Sequence, residues 1–255
     1  MKKLILSLIP LACAAVACNT VSIEEPARFG QLSVALADEP VIEVQTKSGT
    51  ALDKTTDAAK EYAVSVFNSS DEKQGETVTF YEFKTQTLPF GTYYVTAENC
   101  TEEEAEVGNG KMRLAGKSAD VALSLENLSG TASVECTVTN AKVAVEFDSS
   151  VSGKFTDLSV KLTGGTTSVR QDSGITITES SEVKETWFNP STLSYTISAT
   201  GVQAVTGTKV LEAKDNIKIL VKVNQQTGGL TVSAVSVDES INEGGQINGS
   251  FNPYL

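Results

Sequence analysis

The chain has 255 residues, 40% of them hydrophobic, a formal net charge of −12 and no histidine. Without histidine, Ser-His-Asp triads, Cys-His dyads and imidazole-ligated metal sites are excluded. The acidic balance opposes phosphate backbones and anionic lipid surfaces, so nucleic acid is not expected as a partner.

The N-terminus has three parts. Lys2 and Lys3 form a positive start, residues 4–11 an apolar run, and Ala14-Ala15-Val16-Ala17 a set of small residues before Cys18. An apolar run this short reads as a cleaved export signal rather than a membrane span. Cleavage before a cysteine is the lipoprotein pattern, and the segment resembles a bacterial lipobox. The expectation is therefore a signal peptide over 1–17, a lipidated Cys18, and a polar tether over 18–29. Several acyl chains on one cysteine hold a protein stably on a membrane. Removal of Lys2 and Lys3 leaves the body still more acidic.

Beyond the tether, short segments alternate apolar and polar residues. Leu32, Val34 and Leu36 form the first, Tyr62, Val64 and Val66 the next, followed by Val78 with Phe80 and by Tyr93, Val95 and Ala97. Val121, Leu123 and Leu125 continue the series, as do Val134, Cys136 and Val138, then Val143, Val145 and Phe147. Leu158, Val160 and Leu162, Ile175 and Ile177, Ile217, Ile219 and Val221, and Leu230, Val232 and Ala234 complete it. A period of two marks half-buried strands, and the Thr and Val content suits a pleated sheet. Asn68-Ser-Ser-Asp71, Gly108-Asn-Gly110, Gly164-Gly165 and Gly228-Gly229 read as turns. Residues 51–60 offer at most a turn or two of helix.

The fold class read from this pattern is all-β, as β-sandwiches with Greek-key connections. The apolar rhythm breaks at Thr139-Asn140, which predicts an N-terminal sandwich over 30–140 and a C-terminal one over 141–255.

Motifs for chemistry fail on inspection. Gly116-Lys117-Ser118 ends like a phosphate loop, but Lys111 stands where its first glycine belongs. No Gly-x-Ser-x-Gly elbow occurs. Glu102-Glu103-Glu104 and Asp238-Glu239 lack calcium-loop spacing and read as solvated loop charge. The chain is expected to be no enzyme and to carry no metal or cofactor. Trp187, followed by Asn189-Pro190, lies near a turn and is the candidate ligand contact; in the pair Trp187-Phe188 neighbours face opposite sides of a strand. Cys100 and Cys136 remain after processing, and the export context permits either a disulfide or buried thiols.

Leu88-Pro-Phe-Gly-Thr-Tyr-Tyr-Val-Thr-Ala97 is the most specific segment. Pro89 pre-sets a turn, Gly91 releases it, and Tyr93 opens a strand. Leu88, Pro89, Gly91 and Tyr93 form a pattern that looks like the turn-to-strand element of transthyretin-like sandwiches. With Gly30–Val34, Cys136–Phe147, Gly228–Val232 and the lipobox, it resembles the fimbrillin-like lipoproteins of the Bacteroidota and their relatives of unknown function.

That resemblance implies two tandem transthyretin-like sandwiches and anchorage in the outer membrane, facing outward. It also implies trimming after a basic residue and fimbrial subunits as partners through β-strand addition. Arg28 is the one basic residue of the tether, and it precedes the first strand, so a cut there frees the lipid without opening a groove. The resemblance therefore points to adhesion or to an anchoring or accessory role in pilus assembly, with host or bacterial surface ligands as further partners. The alternative is a glycan-binding surface lipoprotein, with polysaccharide as partner through Trp187. The tail from Val237 is read as a donor or acceptor strand, or as an ordinary final edge strand.

Overall fold

Alternating apolar residues close into strands along most of the body. The structure, a computed structural model, describes residues 28–38, 50–223 and 230–237. The leader, Cys18, and the tail beyond Val237 lie outside the described residues, as does Gly228-Gly229.

Among the described residues nine strands build the first half: β1 (Phe29–Asp38), β2 (Thr50–Ala51), β3 (Ala63–Asn68), β4 (Val78–Thr79), β5 (Gln86–Pro89), β6 (Gly91–Glu98), β7 (Leu114–Lys117), β8 (Val121–Leu123) and β9 (Ser129–Val138). They run in the order β2-β1-β9-β7-β6-β3-β4, with β5 added to β1 and β8 to β6. The sheet folds over a core that includes Leu32, Val64, Val66, Val95, Val134 and Cys136. In β9 the alternation is clean: Ala132, Val134 and Cys136 are buried, while Thr131, Ser133 and Glu135 are exposed. Deleting such a buried aliphatic side chain costs about 2–5 kcal/mol.

Eight strands follow among the described residues: β10 (Ala141–Phe147), β11 (Ser159–Thr163), β12 (Ile175–Thr178), β13 (Glu185–Phe188), β14 (Ser191–Ala199), β15 (Val202–Leu211), β16 (Asn216–Val223) and β17 (Leu230–Val237). One sheet has the order β13-β10-β16-β17 and the other β12-β11-β14-β15. Val143, Leu162, Ile177, Phe188, Ile197 and Ile219 are among the side chains buried between them. The first apolar cluster extends from Leu32 to Cys136, and the second from Ala141 to Val221. The protein is thus all-β with sandwich packing.

Each half contains one parallel pair. β1 runs parallel to β9 from Gln31↔Ser129 to Asp38↔Cys136, and β10 runs parallel to β16 from Lys142↔Asn216 to Phe147↔Val221. Parallel neighbours need a crossover, and here β2 to β8 supply it in the first half and β11 to β15 in the second.

Two details differ from the pattern read along the chain, and one narrows it. Leu125 is 61% exposed, because β8 stops at Leu123 and Ser124 and Asn127 exchange main-chain hydrogen bonds of 3.0 and 3.2 Å across a tight turn. Residues 51–60 contribute only a single 3-10 turn, Ala58–Lys60. β15 is a strand despite its weak alternation, because the Tyr195 ring of β14 covers its inward Gly207; a β-carbon there would lie 2.2 Å from Tyr195 Oη.

Candidate functional site

Arg28 is exposed and directly precedes β1, and its carbonyl accepts the Phe90 N–H at 2.7 Å. β1 is held on both sides, by β9 along one edge and by β5 and β2 along the other. Leu32 and Leu36 lock it into the core. Cleavage after Arg28 would therefore release the tether and leave β1 in its sheet.

Leu88 and Tyr93 are buried on either side of the β5–β6 turn, and the Tyr93 hydroxyl donates to the Pro89 carbonyl at 2.8 Å. Burial pushes the Tyr93 hydroxyl above the ordinary tyrosine range. Two details correct the turn read from sequence. Pro89 ends β5, paired with Phe29, rather than standing outside the ladder. Gly91 is not among the residues of positive φ, and a β-carbon there would meet Tyr93 Oη at an ordinary 3.4 Å. The turn is closed by the tyrosine folding back, so it does not call on glycine's freedom.

The most strongly built polar site joins the two halves. The 3-10 turn Glu104–Glu106 delivers the Glu106 side chain into the loop Gly164-Gly165-Thr166-Thr167. Its carboxylate accepts the N–H groups of Thr166 at 3.1 Å, Thr167 at 2.9 Å and Asn189 at 2.8 Å. Successive N–H groups aimed at one point form an anion-binding nest, and Gly165, at φ +75°, makes the turn that aims them.

Arg170 closes the same seam. It is 1% exposed, and donates from Nε to the Glu106 carbonyl at 3.0 Å and from Nη2 to the Gly108 carbonyl at 2.7 Å. Its guanidinium lies 4.8 Å from the centre of the Phe188 ring. Burial draws this guanidinium below its ordinary range, and the charge of Glu106 opposes that shift. Asn189 Nδ2 bonds the Glu102 carbonyl at 3.0 Å and Thr166 Oγ1 at 2.8 Å. The buried Asn140 holds the covalent crossing: it accepts from the Arg113 N–H at 3.0 Å, donates to the Lys111 carbonyl at 2.8 Å, and receives the Lys214 N–H on its own carbonyl at 3.0 Å. Glu106, Arg170 and Asn189 each bond main-chain groups of the other half, so the arrangement fixes one half against the other.

Trp187 enters this seam through its backbone. Its N–H donates to the Asn109 carbonyl at 3.1 Å, and its side chain is half-buried on β13 while that of Phe188 is fully buried. The acidic run splits: Glu98 and Glu102 bond Arg113 at 2.7 and 3.4 Å, while Glu104 accepts the Thr101 N–H at 3.0 Å. That N–H holds the Glu104 carboxyl below its ordinary range. Cys100 and Cys136 are both buried thiols and are not joined in a disulfide. Among the described residues no group of three or more cysteine, aspartate or glutamate side chains is gathered as a metal cage requires.

Glu106, Gly165, Arg170 and Asn189 were not singled out as site residues by sequence reasoning. The only signal was the pairing of Gly164-Gly165 with two threonines, which reads equally well as a plain turn.

A family model described as "Domain of unknown function (DUF4493)" matches residues 28–248. The chain belongs to this family. No curated protein matches the DUF4493 chain in sequence. Among solved structures, it is similar to the fimbrial anchor protein Mfa2 from Porphyromonas gingivalis, at 14% identity and a TM-score of 0.51, over 89% of this chain and 100% of that one. It is also similar to a fimbrial assembly protein from Parabacteroides distasonis, at 9% identity and a TM-score of 0.40, over 81% and 99% of the two chains. At such identities the first likeness bears on the DUF4493 chain's fold alone, a β-sandwich architecture, and the second adds nothing to it.

Proposed function

We propose that this chain is a lipid-anchored protein of the outer cell surface that serves, without catalysis, as an anchoring or assembly partner of a fimbrial or adhesive structure. Signal peptide 1–17 is removed, lipid is carried on Cys18, and residues 18–29 tether two sandwich units, 30–140 and 141–255. The observation that carries this reading is the placement of β1. The tether leads directly into a strand already paired on both edges, so force on the lipid is borne by main-chain ladders and a buried core. A subunit that must vacate its first strand to polymerise would be built the other way. The fold likeness to a fimbrial anchor supports the same reading.

The test compares wild-type cells with Cys18→Ser cells after cross-linking of the intact surface. Recovery of the chain with a surface polymer, and shedding of that polymer into the medium from Cys18→Ser cells, is the expected result. A chain that never cross-links to a surface polymer contradicts the proposal.

A further inference from the structure

The first sandwich carries an apolar end. Phe29 is 52% exposed, Leu125 61% and Leu128 57%, each far more open than a core residue. The backbone brings them together: the Leu128 carbonyl accepts the Gln31 N–H at 2.8 Å, and Leu125 tops the turn between β8 and β9. Phe90, half-buried, turns at the same end and bonds Arg28. All of this lies where β1 and β9 begin. Because those strands are parallel, both run away from it, and β9 leads at its far end into the second sandwich. A strand of ten residues spans roughly 33 Å, so the apolar end and the second sandwich stand at opposite ends of the first.

The immediate sequence neighbours of the three apolar side chains carry one positive and one negative charge, although the chain as a whole is strongly acidic. Arg28 and Glu126 are the exposed ionic residues flanking the three apolar side chains. The neighbouring turn beyond β3 holds Asp71 against the Tyr94 hydroxyl at 2.7 Å and Glu72 against Asn68 at 2.8 Å.

We propose that Phe29, Leu125 and Leu128 form a lipid-contacting surface that seats the first sandwich on the bilayer and holds the second sandwich outermost. This rests on the reading of Cys18 as the lipidated residue. Residues 19–27 are all that separate Cys18 from Arg28, and such a span reaches at most about 35 Å when fully extended. The end that the tether enters is thereby kept beside the membrane at high effective concentration, where a weak apolar contact suffices. Three apolar side chains left in water at the tether's point of entry have a hydrophobic surface within reach.

The experiment uses the full lipidated protein in vesicles of phosphatidylethanolamine and phosphatidylglycerol containing a nitroxide-labelled lipid. A fluorophore is placed at Leu125→Cys or, as control, at Val210→Cys on the second sandwich; Cys100 and Cys136 are buried and stay unlabelled. Quenching at least threefold stronger at 125 than at 210, and lost when Phe29→Ser and Leu128→Ser are added, is expected. Equal quenching at both sites in a chain whose mass shows lipid on Cys18 overturns the contact and leaves the anchor standing. A chain whose mass shows no lipid overturns both.

Discussion

A β-carbon on Gly165 would lie 2.1 Å from Glu106 Oε1. The glycine and the carboxylate come from different halves of the chain, so the space left by one missing side chain is occupied by the charge of another sandwich. Gly165→Ala should therefore expel the carboxylate and strain a residue held at φ +75°. We expect a fall in Tm of several degrees and faster cleavage by protease between residues 139 and 142, read by limited proteolysis.

Glu106→Ala removes the acceptor from three main-chain N–H groups, of Thr166, Thr167 and Asn189. The Asn189 N–H is buried and those of Thr166 and Thr167 are partly so; an unpaired buried donor costs about 1–3 kcal/mol, so a loss of about 2–5 kcal/mol is expected in denaturant unfolding. In a double-mutant cycle, Glu106→Ala and Gly165→Ala should be strongly non-additive, since both empty the same nest.

Tyr93→Phe keeps the ring and deletes the hydroxyl that donates to the Pro89 carbonyl. A loss of about 1 kcal/mol is expected from one hydrogen bond, with the fold unchanged by circular dichroism.

The two cysteines should behave as buried thiols. A thiol-reactive dye should label Cys100 and Cys136 slowly in the folded protein and at once in denaturant. Burial raises the Cys100 thiol above its ordinary range, so the folded form holds its proton where the unfolded form has lost it. The resulting contribution to stability is fully present below the free thiol range near ~8.5 and is lost as pH rises towards the folded value. Cys100→Ser should flatten that alkaline decline in a pH series of unfolding curves.

Much of the fold was legible because single strands obey a period of two. Val64 with Val66 and Ile217 with Ile219 alternate with polar neighbours, Val143 and Val145 flank the small Ala144, and all six are buried. What stayed hidden depends on partners distant in sequence. Nothing in Leu32 or Val134 says that β1 and β9 lie side by side and parallel. Gly207 erases the alternation of β15, and the reason, the Tyr195 ring, is on another strand. Leu125 follows the strand period but falls past the strand's end. At the seam, Glu106 is masked by the acidic run before it, and its partners are main-chain N–H groups, which any residue type presents.

The proposed function requires a body held outside the cell by lipid. Protease shaving of intact cells, with lysed cells as control, tests this directly by following fragments of residues 30–255. The account predicts digestion on intact cells, with the same fragments as after lysis. Full protection until the cells are broken would contradict it.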